Sequence, residues 1–494
     1  MKSLDTISNF AKFQYIEKYW EKEVPKDLPE DAGVIITTRF DTEDERVAVL
    51  DMEANLNTEE SVVAPVLPEN TFVSGYLGTY NVTEIIDGEN SEEPAEGEES
   101  NGLIPVLLSP VRVENSDAVD GVLAMHYNPE TNEWVQVEDA AIREDGYVYG
   151  TLNSFSPIAV FTFRKDLESK TGYLQKGQII VYANGNPVKV YTTEEGKKVI
   201  ENKISGKQYE LTSTVTVLVG GSGDGTALDS TDIEICEGDY STLAIQAGSY
   251  SPEVDTTLKV ANLLANDCKL NSICGSAGHV HTDLVKMTLN NVTASWMGTG
   301  ASICYLASGA VDANKDFTPD TVDETAPFFT KKVVLKATNL TTQLGYVSAR
   351  TGMTYTKEIE AEFVGGKVDY ILACASNGRT GSVKIKVDGV TAQFFQSNNR
   401  GIVESVNATI ENSKIDNLCV LGDPTDSTVT GVTKSVSIDI GKGTYTLLPG
   451  TQGGVAASKE VIDAVVGKVK YSRSADITIS QETKDLLGDK LIMK

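Results

Sequence analysis

The second half of the chain alternates apolar and polar residues in short runs that are separated by one to three turn-forming residues. From about residue 213 these runs repeat as strand, corner, strand, for example SVKIKV-DG-VTAQFF and SVSIDI-GKG-TYTLLP. Alternation with a period of two predicts β-strands with one buried face, and a repeat of ~20 to 50 residues predicts a solenoid. We therefore expect a right-handed parallel β-helix over residues 213–480.

Each of the eight repeats carries at its corner a residue type that enters left-handed backbone conformations at low cost. The predicted corner residues are Gly238, Asn266, Asn290, Asn339, Gly365, Asp388, Asn412 and Gly441. The longest spacing, between Asn290 and Asn339, indicates an insertion over residues 301–330. Stacked turns should also align one apolar residue each in an interior ladder, which we assign to Ile235, Leu264, Leu289, Leu335, Phe363, Val387, Ile410 and Ile440. A stack of small antiparallel sandwiches is the alternative, since each corner taken singly resembles a hairpin.

Shorter alternating runs between turn-rich polar segments occupy residues 25–165. They include GVIITTRF, RVAVLDM, GVLAMHYN and PIAVFTF, which we interpret as strands of an antiparallel β-sandwich. Residues 84–102 are acidic and glycine-rich, which predicts a disordered loop. Residues 166–212, with one short helical pattern, are interpreted as a connector or cap, and residues 481–494 as a C-terminal tail. The predicted fold class is all-β.

Residues 1–24 place apolar side chains at helical spacing before Pro25, which predicts an amphipathic helix. Its aromatic stripe consists of Phe10, Tyr15, Tyr19 and Trp20. Such a stripe packs on its own domain, docks into a partner protein or lies on a membrane surface, and the sequence leaves these alternatives open.

Composition and charge narrow the classes of function. The formal net charge of −29 disfavours nucleic acid and anionic membranes as partners. No run of ~18 apolar residues predicts a membrane span, and the first residues do not form a secretory signal. The six cysteines contain no C-x-x-C pair, so we expect reduced thiols in a chain assembled in the cytoplasm; they are Cys236, Cys268, Cys274, Cys304, Cys374 and Cys419.

Three groups of polar residues are candidates for chemistry. The insertion spaces oxygen ligands as a calcium loop does, at Asp312, Asn314, Asp316, Asp320 and Asp323, although Phe317 stands where the tight turn prefers glycine. An acidic surface loop is the alternative. His279 and His281 form a His-x-His pair, which suits a transition metal on a symmetry axis or is a pair of surface histidines.

The third group is a set of charged residues on successive solenoid units, and it is the candidate for a polysaccharide-cleaving groove. Its members are Asp369, Asp388, Glu404 and Asp416, with Arg379 and Arg400 beside them. Two carboxyl groups ~6.5 to 9.5 Å apart are required for inverting glycoside hydrolysis. Solvated strand faces and corners are the alternative, and we expect no catalysis.

The segment that ends the first region contains Trp134, Asp145 and Gly146, followed by Ser154, Phe155 and Ser156. This pattern resembles ZU5-type β-sandwich modules, which close with a Trp strand, a DG turn and a His-Phe-Ser or Ser-Phe-Ser strand. Some of those modules cleave themselves at His-Phe-Ser. Because Ser154 stands in place of that histidine, the resemblance implies a mounting role without self-processing.

A β-helix mounted on a sandwich with an aromatic N-terminal helix resembles the fibre and spike proteins of tailed bacteriophages, including head fibres. The resemblance implies a virion structural protein, assembled in the host cytoplasm and displaying a host- or glycan-binding rod. It further implies a homo-oligomer, expected to be a trimer, that contacts other virion proteins through its N-terminal region. The alternatives are a polysaccharide depolymerase on the same scaffold and a bacterial surface adhesin.

Overall fold

The chain forms two compact units, Met1–Asp166 and Leu167–Lys494. The structure is a computed structural model, and it describes residues 34–37, 42–56, 61–85, 104–109, 111–113, 119–144, 146–152, 156–171, 178–250, 256–276, 280–301, 320–326, 328–346, 354–373 and 378–494. The predicted helix over residues 1–24, with Phe10, Tyr15, Tyr19 and Trp20, lies outside the described residues.

The first unit contains two antiparallel sheets that share a hydrophobic core. Its strands are β1 (Val34–Thr37), β2 (Thr71–Ile85), β3 (Ile104–Ser109), β4 (Gly121–Asn128), β5 (Glu133–Gln136), β6 (Ala141–Ile142), β7 (Val148–Leu152) and β8 (Pro157–Lys165). The five-stranded sheet has the order β1-β2-β8-β4-β5, and the three-stranded sheet has the order β3-β7-β6. Leu108, Val148 and Val160 connect the two sheets in one cluster.

The predicted strand RVAVLDM is wrong, because this segment lies in helix α1 (Glu43–Asn55). Thr42 and Glu45 form a capping box, in which Glu45 N donates to Thr42 Oγ1 at 3.2 Å and Thr42 N donates to Glu45 Oε2 at 3.0 Å. Val49 and Met52, three residues apart, are buried on one helix face. A short 3₁₀ turn, Ala64–Val66, follows α1. Further along, β2 extends to Ile85, so residues 84 and 85 of the predicted acidic loop (84–102) belong to a strand, and residues 86–103 lie outside the described residues.

The second unit is a stack of parallel strands. Its strands are β9 (Glu168–Thr171), β10 (Ile179–Tyr182), β11 (Val188–Thr192), β12 (Lys198–Asn202), β13 (Gln208–Glu210), β14 (Thr216–Val219), β15 (Leu228–Ile235), β16 (Gly238–Gln246), β17 (Thr256–Asn266), β18 (Cys268–Ser276), β19 (Val280–Asn290), β20 (Thr293–Ala301), β21 (Phe328–Thr338), β22 (Thr341–Tyr346), β23 (Tyr355–Val364), β24 (Lys367–Leu372), β25 (Arg379–Asp388), β26 (Thr391–Gln396), β27 (Ile402–Glu411), β28 (Ser413–Cys419), β29 (Val432–Thr433), β30 (Val436–Ile440), β31 (Gly443–Leu448), β32 (Thr451–Gln452), β33 (Val455–Ala456), β34 (Val466–Tyr471), β35 (Ala475–Ile479) and β36 (Leu491–Met493). Its helices are α2 (Lys459–Val465), α3 (Gln481–Leu487) and the 3₁₀ turn Gly488–Lys490.

The two strands of each repeat enter different sheets. The first strands stack in a fourteen-stranded sheet, here the long sheet, which runs from β13 through β15, β17 and their successors to β36. The second strands stack in a twelve-stranded sheet, the short sheet, which runs from β9 to β35. Parallel pairing between successive turns confirms the predicted all-β solenoid and excludes a series of separate hairpin sandwiches in this unit.

The interior ladder is correct at six of its eight predicted positions. In register, the ladder is Ile235, Ala265, Leu289, Ala337, Phe363, Val387, Ile410 and Ile440, and each member is buried. Leu264 is wrong, because it faces outward and is 38 % exposed while Ala265 takes the inner position. Leu335 is buried but belongs to the neighbouring row, two residues earlier, where it pairs with Met287.

The corners contain the expected residue types, although three assignments are one residue early. Asn339, Gly365 and Asn412 have φ of 52°, 65° and 47°, as predicted. In place of Asn266, Asn290 and Asp388, the positive φ falls on Asp267, Asn291 and Gly389; Gly443 takes it instead of Gly441, and Gly238 has a φ of 156°. Asn339 Nδ2 donates to Asn291 Oδ1 at 2.9 Å, and Asn291 Nδ2 donates to Asp267 Oδ1 at 2.7 Å, so side-chain amides link successive corners.

Both ends of the solenoid reach further than the predicted boundaries. Residues 166–212 are not a connector with a helix: where described they contain strands, and β10 and β11 pair in parallel with β14 and β15. Val188 and Val190 alternate inward there, which explains the strand. Residues 481–494 are not a tail, because β36 pairs with β34 and α3 buries Leu487 in the core beside Ile462 of α2.

Candidate ligand-binding groove

The outer face of the long sheet presents polar side chains in straight rows, since parallel strands pair in register and alternate residues point outward. Near its C-terminal end one row consists of Lys384, Asn407, Ser437 and Lys468 on four adjacent strands, β25, β27, β30 and β34. The next row, two residues further along each strand, consists of Lys386, Thr409, Asp439 and Lys470. Residues distant in sequence therefore form one continuous polar surface.

A groove of about 670 Å³ lies over these two rows. Its lining residues are Lys384, Asn407, Ala408, Thr409, Ser437, Ile438, Asp439, Gly467, Lys468 and Lys470. Gly467 is the extra residue of a register shift between β30 and β34, where Ser437 pairs with Lys468. A Cβ atom on Gly467 would lie 2.5 Å from Ser437 Oγ, so a side chain here would displace the Ser437 hydroxyl, which lines the groove.

The acidic side chain of the groove is paired with a lysine, whereas three of its lysines are not paired with an acid among the described residues. Asp439, the single acidic lining residue, is bonded to Lys494 Nζ. Within the described part of the chain, the ammonium groups of Lys384, Lys468 and Lys470 form no ion pair. The groove therefore has a local excess of positive charge that its own side chains do not neutralise.

The carboxylates predicted for catalysis do not form one cluster. Asp369 and Asp416 lie on strands of the short sheet, beside Lys367 at 3.3 Å and Lys414 at 3.7 Å. Asp388 lies at a corner, where its Oδ1 accepts a hydrogen bond of 2.9 Å from Asn412 Nδ2. These three side chains are thus engaged at separate places on the solenoid.

Glu404, the fourth predicted carboxylate, lies on the long sheet and is bound on two sides. It pairs with Arg379 Nη2 at 2.8 Å and with Lys434 Nζ at 3.0 Å. Arg400 lies in the bend between β26 and β27. The arrangement that the sequence suggested, a groove built from all six residues, is therefore not present.

The end of the insertion packs against the N-terminal ends of three strands of the long sheet, β21, β23 and β25. Val322 and Ala326 form a hydrophobic cluster with Phe329 and Tyr355, and Arg379 Nη1 donates to the Val322 carbonyl at 3.3 Å. His281 Nε2 donates to the Ala326 carbonyl at 2.9 Å. The predicted His-x-His pair is not described as a pair, because His279 lies outside the described residues.

The predicted calcium loop lies largely outside the described residues, which exclude Asp312, Asn314 and Asp316. Asp320 is exposed, and Asp323 Oδ1 accepts hydrogen bonds from Thr325 N at 2.9 Å and Thr325 Oγ1 at 2.6 Å. These bonds lower the pKa of Asp323. Among the described residues, no group of three or more His, Cys, Asp or Glu side chains is placed to hold a metal ion.

The closing motif of the first unit is partly described. Trp134 lies on β5 and packs against Tyr127 with ring centroids 5.5 Å apart, and Gly146 has a φ of 83°. Ser156 is buried, and its hydroxyl contacts His126 Nε2 and the Tyr127 carbonyl, which fastens the start of β8 to β4. Asp145, Ser154 and Phe155 lie outside the described residues.

Comparison with protein-family models, curated proteins and solved structures finds no match to this chain. Among the helices of the described residues, none combines the length and apolar character that a bilayer span requires. The groove residues were missed at the level of sequence, yet a signal was present. SVKIKVD and VGKVKY each place two lysines at positions i and i+2, which an alternating strand directs to the same face.

Proposed function

We propose that this chain is a structural component of a tailed phage virion, a head fibre or spike whose β-helix displays a glycan-binding surface to the host. In this proposal the first unit is a sandwich-type mounting domain, and the N-terminal aromatic residues attach it to other virion proteins. The observation that carries the proposal is the groove on the outer face of the long sheet. A solenoid holds such a surface on a rigid stack of strands, so ligand binding there requires no rearrangement.

Two features support a display role. The outer rows supply amide, hydroxyl and ammonium groups, which match the hydroxyl groups of a sugar. Antiparallel strands extend beyond the first parallel pairs, and α2 and α3 bury Ile462 and Leu487 at the other end, so the solenoid is closed at its ends. The homotrimer that we propose would present three such grooves together, and multivalency would then strengthen weak sugar binding.

Location in the particle is tested by mass spectrometry and immunogold imaging of purified virions from the source organism. We expect the chain in stoichiometric amounts on the particle surface, and its absence would overturn the proposal. Incubation of the full chain with host surface polysaccharide tests display against cleavage. Retention without released oligosaccharide supports display, whereas released oligosaccharide identifies a depolymerase instead.

The attachment residues are tested by the triple variant Phe10→Ala, Tyr19→Ala, Trp20→Ala. Burying each of these aromatic side chains against a partner is worth ~1.5 to 3 kcal/mol, so the variant should fold normally and be lost from particles. Lys22→Ala in the same segment is the matched control and should be incorporated. Normal incorporation of the triple variant would refute the aromatic anchor.

A further inference from the structure

We propose that the groove binds an anionic sugar, with Lys384, Lys468 and Lys470 contacting its carboxylate or sulfate groups. This inference rests on the proposed glycan-binding function and names the ligand class. Two other lysines on the same sheet are neutralised by neighbours, Lys332 by Glu360 at 3.1 Å and Lys386 by Glu362 at 2.8 Å. Within the described residues, the three groove lysines have no such partner.

The spacing of the row suits an extended ligand with charges at intervals. Lys384 and Lys468 occupy the ends of a row of four strands, so their backbones are separated by three strand spacings, or ~14 Å. Asn407 and Ser437 lie between them, and both are neutral and able to donate and accept hydrogen bonds. An anionic sugar can therefore place its charged groups on the lysines and its hydroxyl groups on the central residues.

The large negative charge of the chain does not prevent anion binding here. The net charge of −29 belongs to the whole sequence, whereas salt screens exposed charges beyond ~8 Å at physiological ionic strength. The acidic lining residue, Asp439, is already bonded to Lys494, and Glu360, which pairs in register with Lys384, is bonded to Lys332. The field at the groove is accordingly set by the unpaired ammonium groups, and it should attract anions more strongly at low salt.

The lining favours a sugar over a nucleic acid. Proteins that bind single strands stack the bases on aromatic side chains, and the ten lining residues of the groove include no aromatic residue. Asn407, Thr409 and Ser437 supply neutral hydrogen-bond donors and acceptors to the same groove. Hydroxyl-bearing rings with attached acid groups fit this combination of neutral and cationic groups.

The test is isothermal titration calorimetry on the full chain with four probes. These are an oligogalacturonate as the carboxylated sugar, a heparin hexasaccharide as the sulfated sugar, maltohexaose as the neutral sugar and a single-stranded oligonucleotide. We expect one of the acidic sugars to bind at least ten-fold more tightly than maltohexaose and the oligonucleotide, with weaker binding at 300 mM than at 50 mM salt. Which acidic sugar binds distinguishes carboxylate from sulfate recognition.

Variants assign the binding to the groove. Lys468→Gln and Lys470→Gln should each weaken binding by ~10-fold, as expected for the loss of one charge-assisted hydrogen bond. Lys336→Gln removes an exposed lysine from the same face several turns away and should leave binding unchanged. Gly467→Val places a Cβ atom 2.5 Å from Ser437 Oγ and so displaces that hydroxyl without changing charge; it should also weaken binding. Circular dichroism verifies the fold of each variant.

Equal affinity for neutral and acidic sugars, tighter binding of the oligonucleotide, or no effect of the groove variants would each overturn the inference. Failure to bind any probe would also overturn it. None of these results bears on whether the chain is present in virions. The particle experiment can likewise fail while the groove still selects anionic sugars, so the two proposals are tested independently.

Discussion

Replacing Ile410 by aspartate tests the interior ladder of the solenoid. Ile410 is fully buried and pairs in register with Val387 of the preceding turn and Ile440 of the following turn. The substitution loses ~1.5 to 3 kcal/mol of side-chain burial and adds the cost of an unpaired carboxyl group in the core. We therefore expect a loss of ~4 kcal/mol or more, concentrated in the turns next to residue 410 because solenoid repeats contact only their neighbours.

The matched control is Leu264→Asp, which makes the same kind of change on the outer face of the same sheet. Leu264 is 38 % exposed, so this variant should lose less than ~1 kcal/mol. Urea unfolding followed by circular dichroism gives the two free energies, and hydrogen exchange locates the destabilised turns. An unchanged midpoint for Ile410→Asp, or equal losses in both variants, would refute the register described above.

Three further predictions concern the buried thiols, the corner residues and the segment of residues 320–326 that contacts Arg379. Burial raises the pKa of Cys268 to about 12 and that of Cys419 well above its usual range, so iodoacetamide at pH 8 should spare both in the native protein. Denaturation without reductant should expose all six thiols, and a deficit would indicate disulfides. Asn339→Ala should cost ~1 to 2 kcal/mol in urea unfolding and Asn339→Gly less, because alanine resists the left-handed backbone; equal costs would contradict this reason. Arg379→Ala should increase hydrogen exchange over residues 320–326, and unchanged exchange would show that Arg379 does not anchor this segment.

Alternation and corner residues allowed the solenoid to be predicted because both are local signals. Successive strand residues face opposite sides, and left-handed backbone favours glycine and asparagine wherever a sharp corner occurs. The error at α1 was also local in origin: Val47 and Val49 alternate as in a strand, and the capping box of Thr42 and Glu45 was overlooked.

These local signals do not determine the register in which neighbouring strands pair. A shift of one residue moves a side chain from the core to the solvent, and Leu264 was placed inside because leucine is more apolar than its neighbour Ala265. The inner position accommodates Ala265 because the ladder beside it contains larger residues, Ile235 and Leu289. Leu263 is buried on β17, so alternation along the strand places Ala265 inward and Leu264 outward.

The groove depended on register in the same way. Lys384 and Lys468 are separated in sequence by strands of both sheets and by helix α2, and they share a row only because four strands stack with one particular alignment. The additional residue at Gly467 then shifts that alignment, so that Lys468 rather than Gly467 pairs with Ser437. Strand identity is encoded within a few neighbouring residues, whereas the juxtaposition of distant strands results from the packing of the whole solenoid, and the candidate binding surface exists only at that level.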